Sequence, residues 1–159
     1  FGEALGLTPS DIDFQTQQIN VEKTWNYKDP KGGFAPTKNR SSQRKVRMDW
    51  SLCMHLKRLC DGRDSSKPLF VTEGKRIFNA TVNDRLAAVC KQCDIPAITV
   101  HGLRHTHASL LLYAGVSVAS VAKRLGHANM TTTQMTYLHI IKELEAKDTD
   151  KIIQFLSTL

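Results

Sequence analysis

The chain has 159 residues, enough for one compact domain with a sizeable core, since domains most often run to about 100–150 residues. Its 22 Lys and Arg outweigh 15 Asp and Glu, and the sequence pI is near 9.4, so a polyanionic partner is favoured over an acidic small molecule, with nucleic acid ahead of an anionic membrane. No run approaches the roughly 20 apolar residues of a membrane span and no signal core opens the chain, which excludes a spanning helix and points to a soluble protein inside the cell.

Phe1 to Leu7 reads as the end of a helix whose beginning lies upstream, because an apolar half-turn opens the chain without a cap. From Ile12 to Tyr27 the β-formers Ile19, Val21, Trp25 and Tyr27 alternate with polar residues after the turn-like Thr16-Gln17-Gln18, which predicts a hairpin and a small antiparallel sheet. Lys28 to Ser42 carries Lys, Gly, Pro, Asn and Ser without periodicity and reads as a solvated basic loop that leads into a short strand at Val46-Arg47-Met48. Leu52, Leu56, Leu59 and Cys60 mark one amphipathic helix, and Val82, Leu86, Val89, Cys90 and Cys93 mark another. The four cysteines fall on these apolar faces and are expected to be reduced core residues.

The rest reads as helices: Leu103 to Ala114 closed by Gly115, Ser117 to Leu125 closed by Gly126, a turn entering near Thr131, and a helical tail from Ile140. The tail presents Ile152, Ile153, Phe155, Leu156 and Leu159, a broad apolar surface for a chain terminus. The predicted architecture is mainly α with a small antiparallel sheet.

His101 and Arg104 are three apart at a helix start, beside backbone N–H groups that favour an anion, which suits a phosphate. Alone, His-x-x-Arg is equally a capping histidine beside a surface arginine. The ordered set His101, Arg104, Gly126-His127 and Tyr137 is more specific, and it resembles the tyrosine recombinases, in particular phage and conjugative-transposon integrases. The likeness runs through His101-Gly-Leu-Arg-His-Thr-His-Ala108, Leu125-Gly-His-Ala-Asn-Met130 and Thr132-Thr133 up to Tyr137-Leu-His139. Upstream, Thr37-Lys38-Asn39-Arg40-Ser41-Ser42-Gln43-Arg44 resembles the family's Lys-Thr-x-Ser-Ser-x-Arg, with Asn39 departing from the usual threonine. Phe1-Gly2-Glu3 resembles the end of Arg-x-Gly-Glu, whose arginine would stand just before Phe1.

The resemblance implies that residues 1–159 are an integrase catalytic domain, truncated at its N-terminal end, with an upstream DNA-binding domain outside this chain. It implies a site-specific recombinase that cuts and rejoins DNA through a 3′-phosphotyrosyl bond for integration or excision of a mobile element. Tyr137 is then the nucleophile. Its phenol, with a pKa ordinarily near 10, needs a base or a strong positive field, for which His101 is the candidate. Arg104, the absent arginine and His127 would hold the charge that grows on the non-bridging oxygens, and Lys38 would protonate the departing 5′ oxygen. Because bond energy is conserved, the resemblance implies no cofactor and no metal. Its partners would be double-stranded DNA attachment sites and copies of itself, a tetramer on DNA, in the bacterial cytoplasm and away from membrane.

His101 and His105 have the i, i+4 spacing of a zinc pair, but Gly-Leu-Arg lies between them and Arg104 would repel a cation, so His105 and His107 read as core or supporting groups. Tyr113, in Leu110-Leu-Leu-Tyr113, reads as core, and Trp25, Tyr27 and Phe34 as packed aromatics. The rival function is a non-catalytic helix-turn-helix DNA-binding module over Ser109 to His127, against which the apolar Val118, Val121, Ala122 and Leu125 argue. A structural partner-binding domain would explain the tail alone.

Overall fold

Alternating β-formers give a short antiparallel sheet in the computed structural model, which describes residues 1–72 and 74–158. Strand β1 (Ile12–Asp13) turns into β2 (Gln18–Val21) through Gln17, whose φ of 55° is left-handed. The other edge of β2 pairs with β5 (Arg44–Arg47) in the register Ile19↔Val46 and Gln18↔Arg47. The expected hairpin is therefore β1 and β2, and its later half, β3 (Lys23–Trp25), belongs to a second sheet with β4 (Phe34–Pro36).

Strand β4 lies inside the stretch that the sequence presents as loop. It forms because Phe34 stands opposite Trp25, the two rings edge to face with centroids 5.2 Å apart. Short helix α1 (Gly2–Leu5) runs close to β3, and glycine permits the approach: a Cβ at Gly6 would stand 2.8 Å from the carbonyl carbon of Thr24.

Contacts divide the chain into two units, Phe1–Leu103 and Arg104–Leu159, where composition suggested one core. The first unit gathers Ile12, Met48 and Leu69 with Cys53 and Leu56 of α2 (Trp50–Cys60), a helix capped by Asp49 through a 2.9 Å bond from the Leu52 amide. The expected apolar stripe of α2 holds at Leu56, Leu59 and Cys60 and departs at its first position, where Leu52 is 43% exposed and Cys53 is buried. In α3 (Asn79–Gln92), Cys90 is buried and Val89 is exposed. All four cysteines are free thiols, but Cys93 is exposed rather than core, because the helix ends at Gln92 and Cys93 leaves its phase.

The division falls inside α4 (Val100–Tyr113). Its later turns place Ala108 and Leu112 against Val121 and Leu125 of α5 (Val118–Leu125), and the same cluster takes in Tyr137 and Ile140. Helices α6 (Met130–Thr136) and α7 (Leu138–Leu156) meet at Tyr137. The caps follow the sequence signals: Ser117 Oγ accepts from Ser120 N, Asn129 Oδ1 from Thr132 N, and Gly126 closes α5 at φ 76°. Helix α5 buries Val121, Ala122 and Leu125, so it is a core helix and not a base-reading one. In α7, Ile152, Ile153, Phe155 and Leu156 are each more than half exposed, and Leu159 lies outside the described residues. Among the described residues no helix is long and apolar enough to cross a membrane.

Leu112 is 1% exposed and Leu110, two residues earlier, 64%. Leu112→Ala is expected to cost about 2–5 kcal/mol in urea unfolding, whereas Leu110→Ala should stay within about 0.5 kcal/mol. Equal costs would show that the core face of α4 is misassigned.

Candidate active site

Helix α4 carries the candidate residues His101 and Arg104 and is held firmly at its start. Asn83 Oδ1 accepts from Val100 N at 2.9 Å, Thr99 Oγ1 from Gly102 N at 2.9 Å, and Thr99 O from Leu103 N at 2.9 Å. These amides, which the sequence pattern reserved for an anion, are bonded within the chain instead. His101 is exposed in the first turn.

One turn further, Arg104 Nη2 donates to the carbonyl of Leu125 at 2.6 Å, fixing the guanidinium at the negative end of α5. The next residue, His105, places Nδ1 3.0 Å from the hydroxyl of Tyr137. With the imidazole proton on Nε2, the phenol donates to Nδ1. The rings lie 5.8 Å apart, tilted by 57°.

Tyr137 is 3% exposed, part of the core cluster, and its backbone (φ −114°, ψ 22°) joins α6 to α7. Burial pushes its phenol pKa above the ordinary value, and the positive charge of Arg104 pulls the other way. His127 follows the left-handed Gly126 and bonds through Nδ1 to Thr133 Oγ1 at 2.7 Å. Thr133 is fully buried, and its carbonyl accepts from Tyr137 N at 3.0 Å, so His127 is tied to the helical turn that ends on the tyrosine.

Arg104, His127 and Tyr137 thus share the second unit, while Lys38 and His101 are described with the first. Lys38 is exposed between β4 and β5, followed by a 3₁₀ turn over Arg40–Ser42. Arg44 donates to Ser42 O at 2.8 Å and pairs with Glu3 at 2.9 Å, joining the lysine-bearing stretch to α1. That pairing has no local signature in the sequence.

For His105 the sequence pointed to a core or supporting place but not to its partner, Tyr137. The one available signal was the place of His105 directly after Arg104, one turn after His101. Tyr113 differs from expectation: as the last residue of α4 it is 49% exposed, its hydroxyl donating to Glu143 at 3.0 Å. His107 accepts from Arg124 Nε at 2.9 Å, and burial, then the charge of Arg124, lowers its pKa, which keeps the ring neutral for that bond.

The model of the phage integrase family matches residues 1–143. The integrase of Staphylococcus phage L54a is 26% identical over 95% of this chain and 47% of its own length, and the ICEBs1 integrase of Bacillus subtilis (strain 168) is 27% identical over 98% and 45%. The chain therefore spans about half the length of these relatives. Among solved structures, the Tn1549 transposon integrase in complex with transposon right end DNA is similar in fold, with a TM-score of 0.72 and 22% identity over 86% of this chain and 49% of that one.

Tyr137 is expected to ionise above the ordinary phenol value in a phenolate absorbance titration, and Arg104→Gln should delay it further by removing the charge that favours phenolate. Because the folded pKa exceeds the unfolded value near 10, the folded chain holds this proton longer, so the stability it contributes is complete below that pH and is lost as pH rises through the folded pKa. If the step that Tyr137→Phe removes from the titration lies at or below the ordinary phenol value, the burial argument is wrong.

Proposed function

The chain belongs to the phage integrase family, and from that membership we propose that it is the catalytic domain of a site-specific recombinase that cleaves and rejoins duplex DNA at the attachment sites of a mobile element. The observation that carries the proposal is the Tyr137 hydroxyl bonded to His105, directly after Arg104 on α4, inside a unit whose core takes in Tyr137. A net charge of +7 suits a phosphate backbone. The Tn1549 integrase, similar in fold, was solved with transposon DNA.

In the proposed reaction Tyr137 Oη attacks the scissile phosphorus. The bond to the 5′ oxygen breaks, and a 3′-phosphotyrosyl link forms that the 5′-hydroxyl of a second strand reverses. Arg104 binds a non-bridging oxygen, and His127, oriented by Thr133, gives a further hydrogen bond to the growing charge. His101 takes the phenol proton, while His105 orients the phenol until attack. Lys38 protonates the leaving 5′ oxygen. The set calls for one more arginine, immediately before Phe1, where the Arg-x-Gly-Glu pattern would begin. On DNA the partner is a second copy of the chain within a tetramer, for which the exposed apolar tail residues Ile152, Ile153, Phe155 and Leu156 offer a contact.

Tested in the full-length protein on nicked suicide substrates, Tyr137→Phe should abolish the denaturant-stable DNA adduct and leave DNA affinity nearly intact. Arg104→Ala should slow cleavage by roughly a hundredfold or more while binding changes little. Replacing the leaving 5′ oxygen by sulfur, which needs little protonation, should rescue Lys38→Ala and not Arg104→Ala. An adduct in the phenylalanine variant would remove Tyr137 from the role of nucleophile; equal rescue of both other variants would remove Lys38 from the role of acid.

A further inference from the structure

The β3–β4 hairpin lines a cavity of about 530 Å³ together with residues of 67–72 and 74–76, and the proposed strand exchange does not use it. Trp25 and Tyr27 supply aromatic surface, and Lys31, Lys67, Lys75 and Arg76 supply cations. Asp29 is the one acid among the described lining residues, and its Oδ1 already accepts from Lys31 N at 2.9 Å. The lining is thus strongly cationic and aromatic at once.

The enclosure is held by specific bonds. Arg76 Nη2 donates to Lys28 O at 3.0 Å, linking Arg76 to the hairpin loop, and its guanidinium rests 4.8 Å over the ring of Phe78. Asn26 N donates to Gly33 O at 2.8 Å, closing the loop. Gly32, at φ +66°, lies so near the indole that a Cβ would stand 2.7 Å from Trp25 Cζ2, so the loop backbone itself braces the aromatic wall.

We propose that this cavity binds a nucleoside monophosphate, free or as an unpaired nucleotide of a strand, with the base against Trp25 and Tyr27 and the phosphate on the lysines. Inorganic phosphate would meet the cations and leave the aromatic surface unused, and an acidic peptide would do the same. A nucleotide is the smallest common ligand that answers both, since bases stack on aromatic rings whatever their sequence and phosphates take charge-assisted bonds from Lys and Arg. The volume falls within the roughly 300–1,000 Å³ usual for small-molecule sites.

The chain has two tryptophans, and Trp50 is 66% exposed at the start of α2, so Trp50→Phe leaves Trp25 as the sole indole without disturbing the core. In that background, deoxyadenosine monophosphate should quench the emission saturably, whereas inorganic phosphate and deoxyadenosine, each alone, should not at the same concentrations. Lys31→Glu with Lys75→Glu, both exposed, should weaken the apparent Kd by about tenfold or more. A short single strand that competes at lower concentration than the mononucleotide would identify a strand as the source, and one that does not would identify the free nucleotide. The proposal is overturned by unsaturable quenching, by equal quenching with phosphate or nucleoside alone, or by an unchanged Kd in a double variant that melts like its parent.

Discussion

Tyr137 carries two demands that oppose each other. Its ring is core, packed with Leu112, Val121 and Leu125, and that burial makes ionisation costly, while the proposed reaction asks its oxygen to act as a nucleophile. Arg104 and His105 meet the conflict from one turn of α4, the first with charge and the second with a hydrogen bond. Helix α4 can serve both because Ala108 and Leu112, on its next turns, lock its rotation against α5. Rotating α4 to expose Leu112 would take His105 away from the phenol.

The first unit is organised by ionic ties of a different kind. Thr8 and Asp11 bond each other, and Lys23 reaches the same carboxylate from β3, while Glu3 of α1 pairs with Arg44 of β5. Side chains of Arg44 and Asp11 are largely covered, so these pairs count for more than exposed ones. Through Arg44, which also holds the Ser42 carbonyl, the stretch that presents Lys38 is fixed to the helix that opens the chain. The nucleotide-sized cavity uses the other face of this organisation, the β3–β4 hairpin.

Much of this was legible from local signals. Ser117, Gly126 and Asn129 announce helix ends because a cap acts on its own neighbours, and the alternation from Ile19 to Val21 announces a strand for the same reason. Strand β4 was hidden because Gly32 and Gly33 precede it and Pro36 ends it, while its support comes from pairing with β3, above all from Trp25 opposite Phe34. The burial of Cys53 in place of Leu52 goes with Met48 and Leu69 in the same cluster, which no helical period reveals. Among the site residues, the ordered set from His101 to Tyr137 was readable from family likeness, yet which histidine meets the phenol was not. That choice is made by the joint between α6 and α7, which returns Tyr137 to α4 across 32 residues of sequence.

The central claim is that Tyr137, and neither of the other tyrosines, is the residue that bonds to DNA. Trapping the full-length protein on nicked junction DNA of the element that encodes it, digesting with trypsin and mapping the linked peptide by mass spectrometry tests this directly. The account predicts the nucleotide adduct on the peptide of residues 125–142, in which Tyr137 is the only tyrosine. An adduct on the peptide that contains Tyr113 or Tyr27 would contradict it.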